Sequence, residues 1–183
     1  TKQTSVQTLM ESSYPASYDL RAQGRLTAIR NQGSCGSCWA FAAIGSLEST
    51  LLPAQSWDFS ENNMKNLHGF VFTCCNGGNR TMATAYLARW EGPVAEAEDP
   101  YNAVSCTSPT GLSPRKHVQS VIFVPNRSSS LDNDAIKDAV MTYGAVYSSY
   151  YHSDTYYNST HKTYYYSGGG SSNHGICIVG WDD

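Results

Sequence analysis

The chain reads as an α+β protein with its helices gathered in the first half and its strands in the second. Three observations predict this. Runs of helix-forming residues with clear stop signals occupy the sequence up to Gly92-Pro93. From His117 onward, β-branched and aromatic residues dominate in short strand-like runs. The length of 183 residues is enough for one domain with a real core, or for two lobes packed around a cleft.

The elements follow in order. Residues 1–13 read as an irregular extension. From Cys38 to Leu52 the sequence CWAFAAIGSLESTLL favours helix, and Pro53 ends it by lacking an amide donor and clashing with the preceding turn. Asp58 and Ser60 are candidate caps for a short helix through SENNMKNL. A third helix is expected from about Arg80 to Trp90. HVQSVIFV, residues 117–124, reads as a strand ahead of Pro125, and Asn133 to Tyr143 as an amphipathic helix closed by Gly144. AVYSSYY, a Tyr-rich stretch and a GGG turn then lead to HGICIVGW, a strand expected to be buried on both faces. The run from Tyr147 to Ser172 is low in complexity and reads as edge strands and surface loops. No repeat of solenoid length is present.

Composition narrows the function classes. Charged residues make up 15% of the chain and the net charge is -3, which supplies no basic field for nucleic acid. The longest apolar run, around Gly175 to Trp181, is too short to cross a bilayer, and the opening TKQTSVQTLMESSYP holds no secretory apolar segment. Six cysteines, scarce lysine and abundant Ser, Thr, Asn and Tyr favour an oxidising setting: secreted, cell-surface or a lysosome-like or vacuolar compartment. Sequons at Asn79, Asn126 and Asn158 occur at a frequency that this composition gives by chance.

The chemistry is concentrated in NQGSCGSCWAF, residues 31–41. A thiol reacts as its thiolate, and a helix N-terminus favours that anion through unpaired backbone N–H groups and the helix dipole. Cys38 sits where the first helix begins, while Cys35 lies before it in a Gly/Ser loop able to bend tightly. Cys38 is therefore the better-placed nucleophile of the two.

QGSCGSCWAF resembles the active-site segment of papain-like cysteine proteases, with its C-G-[SA]-C-[WY] signature. SYDLR (17–21), FSENNMKNL (59–67), CNGG (75–78) and NHGICIVGW (173–181) resemble further segments of that family, in the same order, over roughly residues 15–183. The resemblance implies a two-lobed fold, a helical lobe over about 14–115 and a β-barrel-like lobe over about 116–183, with the active-site cleft between them. It implies a cysteine endopeptidase, with no metal or organic cofactor, acting on a protein or peptide. Cys38 would be the nucleophile and His174 its imidazolium partner, placed inside the ~130–150-residue spacing of the family. His68, His117, His152 and His161 read instead as satisfied core or surface histidines. Gln32 would join the Cys38 amide in the oxyanion hole, and Trp39 would wall the cleft.

With Cys38 assigned as nucleophile and Cys177 read as a buried strand thiol, four cysteines remain, and they allow three pairings. A vicinal Cys74–Cys75 bond is strained, so two pairings stand. The resemblance implies Cys35–Cys75 and leaves Cys106 to Cys74. The second bridge departs from the family, whose usual partner lies near His68.

An extended substrate is expected along the bare backbone of Gly77 and Gly78, with Asn173 also at the cleft. Asn79 and Arg80 stand where the family often has an aromatic and a proline, which predicts a polar, cationic pocket rim. The family's orienting asparagine lies in a segment beyond Trp181-Asp182-Asp183, and its inhibitory propeptide precedes the catalytic domain. Residues 1–13 are then a propeptide remnant or extension, and the strand-rich lobe is expected to be incomplete at its C-terminal end. Such a propeptide and a C-terminal segment carrying the asparagine are the implied partners.

Three rival readings stand beside this one. A thiol–disulfide module would use Cys35-x-x-Cys38 in a βαβ setting, and a zinc site would draw on cysteines 35, 38, 74 and 75. A catalytically silent relative would serve as a binding or adhesion module.

Overall fold

The computed structural model describes residues 14–183, so the expected N-terminal extension over residues 1–13 lies outside the described residues. Among the described residues there are four α-helices: α1 (Cys38–Leu51), α2 (Glu61–Leu67), α3 (Arg80–Ala88) and α4 (Asp134–Tyr143). The strands are β1 (Ser17–Asp19), β2 (Val146–Tyr150), β3 (Tyr157–Asn158), β4 (Thr163–Tyr164), β5 (His174–Ile178) and β6 (Gly180–Asp182). α1, α2 and α3 lie in the first half, and every strand but β1 follows α4 near the C-terminal end, which is the α+β segregation expected from the sequence.

Helix α1 organises the molecule. Its alanine-rich sequence lets neighbours approach closely, and it stops where Leu52 turns extended (ψ 150°) ahead of Pro53. Trp39, Ala40 and Ile44 on one face join Phe59, Met64, Met82 and Tyr86 in the main core, against α2 and α3. The opposite face meets β5. There a Cβ on Gly45 would stand 3.5 Å from the Cys177 sulfur, and one on Gly175 would stand 3.3 Å from the Cys38 carbonyl and the Trp39 backbone. Glycine at both places keeps helix and strand in contact.

Helix α2 is capped by Ser60, whose hydroxyl accepts from the Asn63 amide, and α3 by Asn79, whose side chain accepts from the Thr81 and Met82 amides. Helix α3 ends at Ala88, two residues earlier than the expected Trp90. Gly144 closes α4 with φ 107°, a backbone state that suits glycine.

The strands form three two-stranded antiparallel ladders. β2 pairs with β5 from Val146↔Ile178 to Tyr150↔His174. β1 pairs with β6, so the N-terminal segment crosses to the strand-rich side, where Leu20 joins Val140 and Ala145 in a second core. Residues 17–20 thus pack with the second lobe, although sequence order grouped them with the helical one.

Among the described residues the ladders stay separate, so the barrel-like closure of the second lobe is not shown. Two expectations are corrected. Residues 117–124 form no strand, and Val121, Ile122 and Phe123 remain exposed. Their apolar, β-branched sequence suits a pleated surface, but a strand also needs a neighbouring backbone to take its N–H and C=O groups, and no such ladder forms here. Finally, β5 is half-buried along its length rather than buried on both faces: α1 packs against it, and among the described residues its one ladder partner is β2.

Two disulfides brace the helical side. Cys35 and Cys75 are joined across a sequence separation of 40 residues, and Cys74 is joined to Cys106. In the chain-entropy picture a loop of that first size contributes about 4 kcal/mol. The Gly36 amide also donates to the Cys75 carbonyl at 3.1 Å, and a Cβ on Gly36 would come within 2.5 Å of that oxygen. The loop before Cys38 is therefore held tightly against the 73–77 loop.

Candidate active site

Cys38 is the first residue of α1, and the helix start carries no side-chain cap. The Ser37 hydroxyl lies 2.6 Å from the Tyr101 hydroxyl, which itself donates to the Gln32 carbonyl at 2.7 Å. With Ser37 drawn away, the first-turn amides remain directed along the helix axis, and they favour negative charge at its end. The Gly175 amide donates to Cys38 Sγ at 3.3 Å. This hydrogen bond brings the start of β5, and with it His174, onto the end of α1.

A cavity of about 320 Å³ opens at this junction. Its wall includes Cys38, Trp39 and Gly78 from the helical side and Asn173, His174 and Gly175 from the strand side. Asn79 and Arg80 also line it. Gln32 does not. Its Nε2 donates to the Cys35 carbonyl at 2.9 Å, which fixes the amide plane and leaves one N–H free. Gly77 holds φ 84°, a left-handed turn open to glycine, and a Cβ there would meet nothing within 4 Å. Gly78 packs flat on Trp39, where an added Cβ would sit 2.4 Å from the indole ring. Trp39 is 1% exposed, so it serves the core and the cavity wall at once.

Asn173 is placed at the cavity, but its side-chain amide is engaged elsewhere. Oδ1 accepts from the His152 amide at 2.6 Å and Nδ2 donates to the His152 carbonyl at 3.0 Å. This double bond to one residue fixes the backbone immediately before His174. His174 is half-buried, with its ring 5.4 Å from His152 and 5.8 Å from Tyr150. Burial lowers its pKa below the usual histidine value, and positive charge on His152 lowers it further. His152 is held between the Tyr150 hydroxyl at 2.9 Å and Asp154 at 3.3 Å.

The papain-family cysteine protease model matches residues 14–183. The chain belongs to this family. A cysteine protease of Blomia tropicalis is 33% identical over 181 residues, covering 92% of this chain and 53% of its own length. Cathepsin S of Bos taurus is 32% identical and covers 91% of this chain and 51% of its own length. The chain thus spans about half the length of the curated relatives it matches. Among solved structures, the cysteine protease and lectin-like domains of Cwp84, a surface-layer-associated protein of Clostridium difficile, align with a TM-score of 0.81. That match has 30% sequence identity and covers 93% of this chain and 40% of the other.

The papain-family site is also clearer for what its cysteines are not. Cys35 is bonded to Cys75, so it forms no redox pair with Cys38, and Cys74 and Cys75 are both bridged rather than available to zinc. The free thiols are Cys38 and Cys177. Cys177 donates to the Ala42 carbonyl at 3.0 Å, and burial pushes its pKa up to about 12, which makes it inert. Among the described residues, no helix is long and apolar enough to cross a membrane.

Sequence reading missed Tyr101, His152, Tyr147 and Ser149. Tyr147 and Ser149 line the cavity from β2. Their i, i+2 spacing in AVYSSYY was the available signal, obscured by the compositional bias of that stretch.

Proposed function

We propose that this chain is the catalytic part of a cysteine endopeptidase that uses Cys38 and His174. The supporting observation is the 3.3 Å hydrogen bond from the Gly175 amide to Cys38 Sγ, which joins the strand of one residue to the helix end of the other. The thiolate adds to the peptide carbonyl carbon, and the oxyanion is held by the Cys38 amide and the free N–H of Gln32. His174 gives its proton to the departing amine, leaving a thioester. The same ring then takes a proton from water, and the resulting attack expels the thiolate, releases the acid and restores the thiolate–imidazolium pair.

Gly77 and Gly78 offer bare backbone to an extended peptide, with Trp39 beneath. The substrate is a protein or peptide. The two disulfides support an oxidising location, secreted, at the cell surface or lysosome-like. The Cwp84 relative has a structure described as following propeptide cleavage, and an inhibitory propeptide fits this chain in the same way.

A peptidyl epoxide tests the reading. Incubation with the folded protein should give one adduct, located at Cys38 by mass spectrometry, together with hydrolysis of an unfolded protein substrate. Cys38→Ala should remove both, and His174→Ala should slow hydrolysis by about a hundredfold or more. Hydrolysis that persists in Cys38→Ala would overturn it.

A further inference from the structure

The cavity beside Cys38 carries one permanently charged side chain, Arg80, and no carboxylate. Its polar wall is otherwise made of hydroxyl and amide residues, including Thr81, Ser149 and Ser172, with Trp39 and Tyr147 as the aromatic surfaces. No aliphatic side chain lines it, so beyond the two aromatic rings a large apolar substrate residue would meet hydroxyls, amides and a cation.

Arg80 is the first residue of α3, immediately after the Asn79 cap, and its backbone position is fixed by that cap. Its neighbours leave the guanidinium open. Among the described residues it makes no ion pair or side-chain hydrogen bond, whereas Arg21, Arg30 and Arg115 each pair with a carboxylate. It also borders the larger groove, of about 810 Å³, between α1, α3 and residues 118–125. Tyr147, on the facing strand, is close enough for its phenol to feel the Arg80 charge.

From this geometry we infer that Arg80 is a specificity determinant that selects peptides carrying a carboxylate side chain, Asp or Glu, in the cavity beside the reacting thiol. The inference rests on the peptidase reading and specifies its substrate class. A planar guanidinium can donate two parallel hydrogen bonds to a carboxylate, which a neutral amide of the same shape cannot match as an acceptor. Because Arg80 is exposed, the preference is of the size of a solvent-screened pair and weakens as salt rises.

The test uses paired peptidyl epoxides differing only by Glu or Gln, placed in turn at each of the three positions preceding the reactive group. The readout is the rate of Cys38 alkylation, measured separately from hydrolysis. At one position the Glu compound should react about fivefold faster than the Gln compound, and the ratio should fall in 0.5 M salt. Arg80→Gln should bring that ratio to about one, and Arg80→Glu should favour Lys over Glu at the same position. Equal rates for Glu and Gln at all three positions, with Cys38 still labelled and substrate still hydrolysed, overturn the inference and leave the peptidase reading intact. Selective labelling without hydrolysis does the reverse. Failure of every compound to label Cys38 overturns both.

Discussion

At the residue scale, the histidine of the pair sits in surroundings that oppose its charge. Burial and His152 both lower its pKa, so in the proposed pair an imidazolium at His174 would depend on a Cys38 thiolate for its stability. His152 adds to this opposition, with ring centroids 5.4 Å apart. In a Cys38→Ala background, where no thiolate contributes, His152→Gln should raise the His174 pKa, because the charge that opposes the imidazolium is removed. Ring-proton chemical shifts followed against pH would measure it, and an unchanged or lower value would refute the coupling. Tyr101 acts on the other wall of the site. Its hydroxyl joins Ser37 to the Gln32 carbonyl, so Tyr101→Phe should loosen Gln32, the proposed oxyanion donor. The expected result is a drop in kcat of about tenfold with KM little changed, since the donor is needed most as charge develops. A change confined to KM would contradict that role.

At the element scale, α2 separates what the sequence discloses from what it hides. Ser60 was legible as a cap because a hydroxyl before a helical run can accept from the first turn. The burial of α2 was not legible, since ENNMKN looks like a solvated face. In the fold Asp99 draws the element inward, accepting from Asn62 at 2.7 Å and Asn63 at 2.9 Å. A polar helix can be buried when a distant carboxylate satisfies it, and that partner is invisible to local periodicity. The strand expected at 117–124 fails for the converse reason: its local pattern is right, but ladder pairing is a property of two segments. Glu61, at the start of α2, carries a measurable consequence. Burial pushes its pKa up to about 8 despite Arg30 at 2.8 Å. The native state then holds a proton that the unfolded chain releases near the ordinary value of 4.5, so stability falls as pH rises between about 4.5 and about 8. Glu61→Gln should flatten that decline in denaturant titrations. An equally steep decline in the variant would show that Glu61 is not its source.

At the scale of the whole molecule, the site exists because two cores are fastened to opposite faces of one helix. A local motif singled out Cys38 as the proposed nucleophile, and resemblance and spacing singled out His174 as its proposed partner. Their meeting depends on packing that neither segment encodes alone. Besides the glycines facing β5, α1 is fastened to the second lobe through Ser46 and Ser49. Ser46 Oγ donates to the Ala145 carbonyl at 2.6 Å. Ser49 Oγ donates to the Arg25 carbonyl at 2.6 Å and accepts from the Ala145 amide at 2.8 Å. Ser49 is almost wholly buried, so Ser49→Ala leaves an acceptor and a donor without their partner and should cost about 1–3 kcal/mol. The loss falls at the junction, so its effect should be uneven. Amide exchange should quicken at Ala145 and along β2 and β5, while α2 and α3, held by the first core and the disulfides, stay protected. The rate of Cys38 alkylation should fall with it, because His174 rides on β5. Uniformly faster exchange through both lobes would mean that they open as one unit, and that α1 does not act as the seam between them.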